Sequence, residues 1–144
     1  MSPLGYPAKK MSIKESMMRK GVKADSRIPF ETMFFDGAFD TPLTPEKAGK
    51  LKHPLEMVRW APSAVNKQPW QVVLKENAAH FYLKHSKGFV SEAVGDMQKI
   101  DMGIALCHFA LAAEEGGLNI QFCLSDPGIT TGTDTEYIAS YSVK

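Results

Sequence analysis

Chemistry-bearing residues gather in one stretch of this 144-residue chain, Ala61-Pro62-Ser63-Ala64-Val65-Asn66-Lys67-Gln68-Pro69-Trp70. Pro62 stops a helix, because it lacks an N–H and clashes with the preceding turn. Ser63 and Asn66 carry short polar side chains that bond either nearby backbone or a ligand. Pro69 favours extended backbone at Gln68. The second chemical resource is charge. Residues 1–30 hold seven basic side chains, Lys23 and Arg27 among them, against the two acids Glu15 and Asp25. That local +5, in a chain of net charge +1, is either a solvated arm or a source of cations for a bound phosphate. His53, His80 and His85 have no metal-ligand spacing, so no metal site is expected. His108 reads as a core histidine rather than a proton donor.

The elements around the stretch follow from local signals. Ser12 to Lys20 is a short helix with Ser12 and Glu15 as a capping box and Gly21 as its stop. Its apolar positions are Ile13, Met17 and Met18, so it needs a partner surface. Pro29 to Phe35 is a second short apolar segment closed by Asp36-Gly37. Thr44-Pro45-Glu46 opens a helix, with Ala48, Leu51, Leu55 and Val58 on its buried face. Pro54 kinks or divides it. Arg59, at its end, is expected to meet the terminal carbonyls. Gln68–Lys75 and Ala79–His85 form a hairpin, with Phe81 and Leu83 on the side opposite Tyr82. Met97 to Gly116 is a long helix, apolar nearly all round, and therefore buried by its own domain or by a subunit interface. Strands at Asn119–Ser125 and Glu136–Val143 complete an α+β plan, with an antiparallel or mixed sheet around that long central helix.

Composition sets the outer bounds. Hydrophobic residues make up 44% and charged residues 23%, ordinary for one globular domain. The near-zero net charge gives no case for nucleic acid. Met102 to Ala113 is too short, and too interrupted by His108, to span a bilayer. The chain opens without a charged-then-apolar leader. Cys107 and Cys123 sit in apolar runs and are expected to be buried free thiols in a reducing, cytoplasmic compartment, with a disulfide between them as the alternative.

The ten-residue stretch resembles the Ala-Pro-Ser-x-x-Asn-x-Gln-Pro-Trp signature of the nitroreductase superfamily, flavin-dependent NAD(P)H oxidoreductases. In that family the loop lies against the isoalloxazine of FMN, usually across a dimer interface. The resemblance implies that Pro62, Ser63 and Asn66 are flavin neighbours, with Ala64 standing where a second Ser is often found. Ile100-Asp101-Met102-Gly103-Ile104-Ala105, running on to Gly117-Leu118, resembles the family's central dimer-interface helix, and Asp101 there reads as structural. Leu4-Gly5-Tyr6-Pro7-Ala8-Lys9 and Ser26-Arg27-Ile28-Pro29 resemble the basic tail of a nitroreductase module. This implies that Arg27, with Lys23 or Lys20 in place of the usual Lys at Asp25, holds the FMN phosphate. A second register matches Lys10-x-Ser12-x-Lys14 to the Arg-x-Ser-x-Arg pattern that opens such a module.

The resemblance thus implies the C-terminal half of the tandem branch, in which two modules are fused. Residues 1–44 would be a tail or linker from a preceding module, and 45–144 a nitroreductase-like half-module. The implied activity is FMN-dependent NAD(P)H oxidation with reduction of a nitro- or quinone-like small-molecule acceptor, by a homodimer or together with an N-terminal module. The alternative is a non-catalytic half-module that keeps the fold without flavin and acts as an interface piece.

Overall fold

A computed structural model describes residues 10–91 and 95–144. The Leu4–Lys9 string lies outside the described residues. The elements are α1 (Ile13–Gly21), α2 (Phe30–Met33), β1 (Phe34–Asp36), α3 (Lys52–Trp60), β2 (Trp70–Lys75), β3 (Ala78–Lys84), β4 (Val90–Ser91), β5 (Gly95–Asp96), α4 (Met97–Glu115), β6 (Ile120–Cys123) and β7 (Thr135–Val143). A mixed five-stranded sheet runs β1-β2-β3-β7-β6, and β4–β5 form a small separate ladder. β1 is parallel to β2, with Phe34 opposite Val72; the remaining pairs of the large sheet are antiparallel. This is the α+β plan expected from the sequence.

The hairpin turns through Glu76 and Asn77, at φ 49° and 57°, with Lys75 opposite Ala78. Two successive left-handed residues match the twist of the flanking strands. Alternation then sends Phe81 and Leu83 to one face and Tyr82 to the other. Phe81 and Leu83 join the main core with Leu55 and Val58 of α3 and Met102, Ala105 and Phe109 of α4. Phe109 meets Phe81 and Tyr141 with ring centroids 5.3 and 5.4 Å apart. Tyr82 forms a smaller cluster on the opposite face with Phe35 and Val73, covered by Phe39, Ile129 and Tyr137.

Five local readings change. The helix expected from Thr44 begins only at Lys52, after a turn and a 3₁₀ segment Gly49–Leu51. Gly49 takes φ +53°, which breaks the α path. Thr44 still caps the turn, its Oγ1 accepting from the Lys47 N–H at 3.4 Å. Pro54 falls in the first turn of α3, where its missing N–H has no intrahelical role. The Pro29–Phe35 segment splits into α2 and the edge strand β1. Both cysteines are free, but Cys107 is exposed on the outer side of α4 and Cys123 only half-buried, so the expected burial fails. Arg59 meets no terminal carbonyl of its helix. Its Nε donates to Glu56 Oε2 at 2.8 Å and its guanidinium reaches the Ile28 carbonyl at 3.4 Å.

α4 packs one side against α3 and the sheet. Its other side is bare in the single chain: Ile100 is 62% and Leu111 61% exposed. α1 has its expected cap, Ser12 Oγ accepting from the Glu15 N–H at 3.1 Å, yet it buries no residue. Among the described residues no helix is long and apolar enough to cross a membrane.

Candidate functional site

The loop between α3 and β2 carries the motif residues. After the buried Ala61, Ser63 is extended (φ −144°, ψ 159°) and Ala64–Asn66 makes one 3₁₀ turn. Val65, Asn66 and Gln68 all take the left-handed region, at φ 45°, 57° and 50°. Asn tolerates this conformation, whereas for a β-branched residue it stores on the order of 1–3 kcal/mol of strain. Neighbouring groups hold the loop. Ser63 Oγ accepts from the Gln68 N–H at 2.8 Å. The Gln68 side chain accepts from the Ile28 N–H at 3.0 Å and donates to the Asn66 carbonyl at 3.3 Å. The Ala64 N–H lies 3.1 and 3.2 Å from the two carboxylate oxygens of Asp101 on α4. Asp101 is buried. That burial pushes its carboxyl above the usual carboxylate range, while the Ala64 N–H pulls it down and the Asp96 charge pushes it up.

The loop is clipped to the basic segment that follows α1. Asn66 Nδ2 donates to the carbonyls of Lys23 and Ser26 at 2.7 and 3.1 Å. Arg27 threads between them. One terminal nitrogen donates to the Ala24 and Ser26 carbonyls at 3.0 and 2.8 Å, and to Asn66 Oδ1 at 3.4 Å. The other donates to the Trp60 carbonyl at 3.4 Å. The guanidinium lies 5.0 Å from the centre of the Trp60 ring. Here its charge faces the C-terminal end of α3, where a cation is favoured by the helix dipole.

Between loop and segment runs an open groove of about 600 Å³. Trp60, Pro62 and Val65 give it apolar surface; Arg27, Ser63 and Asn66 give it polar surface; Arg19 and Asp25 also line it. Its volume falls within the roughly 300–1,000 Å³ of small-molecule sites.

Five of the six residues named from the sequence thus meet at one place: Arg27, Pro62, Ser63 and Asn66 line the groove, and Ala64 sits behind it. Lys23 reaches the site by its carbonyl, and its side chain does not line the groove. Sequence reasoning missed Arg19 and Trp60 as groove residues. Arg19 pairs with Asp25 at 2.6 Å. Trp60 directly precedes the motif and follows Arg59 in the sequence, and an aromatic ring beside a cation was the available signal.

Two other polar clusters lie away from the groove. Buried His80 and Ser140 meet at 2.7 Å, and Tyr137 reaches Ser140 at 2.8 Å. Burial lowers the pKa of His80; with its Nδ1 unprotonated, the Ser140 hydroxyl donates to it. Ser140 is closed off from solvent, so this chain is structural. At the surface, Glu136 accepts from Lys99 and meets His85, each at 2.9 Å. The Lys99 hydrogen bond holds the Glu136 carboxyl below its ordinary range; burial opposes it, and His85 adds a further lowering. Among the described residues no three His, Cys, Asp or Glu side chains are grouped to hold a metal ion.

No curated protein matches the chain significantly. A crystal structure of a nitroreductase-like family protein from Bacillus cereus shares the fold, with a TM-score of 0.51 and 15% identity over 96% of this chain and 87% of that one. The family model described as "Putative TM nitroreductase" matches residues 3–113. The motif loop and all of α4 but its last two residues lie within the matched span, and the chain belongs to this family of the nitroreductase superfamily.

Proposed function

We propose that the chain is an FMN-dependent NAD(P)H oxidoreductase of the nitroreductase type, reducing a nitro- or quinone-like small-molecule acceptor. The observation that carries this reading is the groove between the motif loop and Arg27. Its composition fits a flavin: an apolar wall for a ring system, and cations for a phosphate. The Ser63 hydroxyl takes the Gln68 N–H on its oxygen, which leaves its own hydrogen to donate. On Arg27 one terminal nitrogen makes a single long bond, so the fork keeps a donor for an anion.

When bound, FMN would supply hydride acceptance and donation. The residues of this chain do the remainder. Pro62 and Trp60 pack a ring face, Ser63 donates at a polar edge, and Arg27 holds the phosphate end. Asn66 keeps the basic segment against the loop. No side-chain acid or base is required of the site.

The bare face of α4, with Ile100 and Leu111, supports a homodimer across that helix; an N-terminal module could cover the same face instead. In the tandem reading, residues 1–44 are the end of that preceding module. Two free cysteines suit a reducing, cytoplasmic setting.

A second reading is favoured by one observation. The Asn66 amide and most of the Arg27 guanidinium are engaged by protein carbonyls, and Ala64 offers no hydroxyl. A half-module that keeps the fold without flavin would show these same bonds. Steady-state NAD(P)H oxidation by the FMN-supplemented protein, with a quinone or nitroaromatic acceptor, separates the two. Turnover well above that of free FMN is expected. Turnover equal to free FMN would overturn the oxidoreductase reading in favour of the interface piece.

A further inference from the structure

We propose that Asp101 is a positioning residue for the groove: from α4 it fixes, through the Ala64 N–H, the left-handed turn that presents Pro62, Ser63 and Asn66. The inference rests on the flavin reading above and names the residue on which the shape of that site depends.

The first N–H groups of a helical turn need acceptors from outside the turn; the N-cap side chain usually serves the second or third, and the first must find another partner. Here the N-cap is Ser63, and it makes no such bond. Its hydroxyl oxygen is turned instead to the Gln68 N–H, at the far end of the loop. The orphaned donor is Ala64, and the group that meets it is the Asp101 carboxylate, 37 residues away in sequence. The turn therefore takes its cap from another element.

That cap is anchored. Asp101 is 4% exposed, on a 19-residue helix whose inner side is packed into the core. Neither Asp101 nor Ala64 lines the groove, so Asp101 acts from behind and touches nothing bound there. The turn has reason to relax without it, because Val65 and Asn66 are held at positive φ. An Asn at this place would accept the same N–H as a neutral group. The carboxylate makes a charge-assisted bond, about twice as strong as a neutral one, at the cost of burying a charge. A carboxylate here is thus better suited to holding a particular loop geometry than to adding stability.

The test measures FMN affinity by fluorescence quenching in the wild type, Asp101→Asn, Asp101→Ala and Ala64→Pro. Ala64→Pro removes the same bond from the donor side and leaves the carboxylate in place; Pro is tolerated at the first position of a helical turn. Thermal unfolding is followed in all four proteins, and the exchange rate of the Ala64 amide in the three that keep it. Loss of a hydrogen bond to a charged group should weaken FMN binding roughly 10- to 100-fold in Asp101→Ala and in Ala64→Pro. Asp101→Asn should recover most of it, and Ala64 exchange should accelerate in the order Asp, Asn, Ala. Should Asp101→Ala fail to fold, Asp101→Asn and Ala64→Pro carry the comparison. Affinity unchanged in Ala64→Pro and Asp101→Ala, with the wild type binding FMN, would overturn the positioning role and leave the flavin reading standing. So would affinity that falls only in step with the melting temperature, Asn no better than Ala. A wild type that takes up no FMN would overturn both.

Discussion

Replacing Asn66 by Ala should open the basic segment without unfolding the domain. Asn66 makes two donations, to Lys23 and Ser26, at 2.7 and 3.1 Å. Both lie near the surface, so the lower end of the usual range applies, about 0.5 kcal/mol each. Ala at φ 57° adds about 1 kcal/mol of left-handed strain that Asn largely escapes. The total is about 2 kcal/mol, or roughly a 30-fold shift in the opening equilibrium. α1 buries no residue of its own, and the other ties on the segment are the bonds of Arg27 to the Trp60 carbonyl and of Gln68 and Arg59 to Ile28. The shift should therefore appear as local opening. Hydrogen exchange read at single amides is the assay. The Ser26 N–H, bonded to the Lys23 carbonyl at 2.9 Å, and the Ile28 N–H, bonded to Gln68, should exchange roughly 30-fold faster, with β3 amides unchanged. Asn66→Gly removes the bonds but not the φ tolerance, and should give about half of that free-energy change. Wild-type exchange at Ser26 and Ile28 in both variants would refute the reasoning, because the clip would then not depend on this side chain.

Two further outcomes are expected. Val65→Gly should stabilise the protein: relief of on the order of 1–3 kcal/mol of backbone strain outweighs the glycine entropy cost of about 0.5–1 kcal/mol, and the side chain, 55% exposed, loses little packing. The melting temperature should rise by about 3 °C; a fall would contradict the strain assigned to this turn. For pH, burial lowers the pKa of His80 in the folded state. The unfolded chain binds that proton more readily, so the contribution is complete above about pH 6.5 and is lost as pH falls from there through the folded value. His80→Asn, which keeps an acceptor for the Ser140 hydroxyl, should flatten that part of the stability profile, and an unchanged slope between pH 7 and 5 would count against it.

How far the sequence carried depends on whether a feature is local. The hairpin was readable because its strands alternate and Glu76-Asn77 turns tightly. α4 was readable from its length and from Gly116-Gly117 at its end. The motif loop was located by its residue types, and Arg27 was paired with it through the family resemblance. β1 was invisible, since three residues carry no period. The late start of α3 turns on the positive φ of Gly49, which a strong Thr-Pro-Glu cap obscures. The expected burial of the cysteines failed because an apolar run can face an uncovered surface as well as a core. The least legible features are those that shape the groove. The Asp101–Ala64 bond spans 37 residues and the Asn66–Lys23 bond 43, and contacts at such separations leave no local pattern to read.

The central claim is that the groove between Arg27 and the motif loop holds a flavin. The most direct measurement is the absorption spectrum of the purified protein, taken again after incubation with FMN and gel filtration. The account expects a two-band flavin spectrum that travels with the protein peak and is weakened in Arg27→Ala and Asn66→Ala. A protein that stays colourless after loading, or one that retains flavin equally well in both variants, would contradict it.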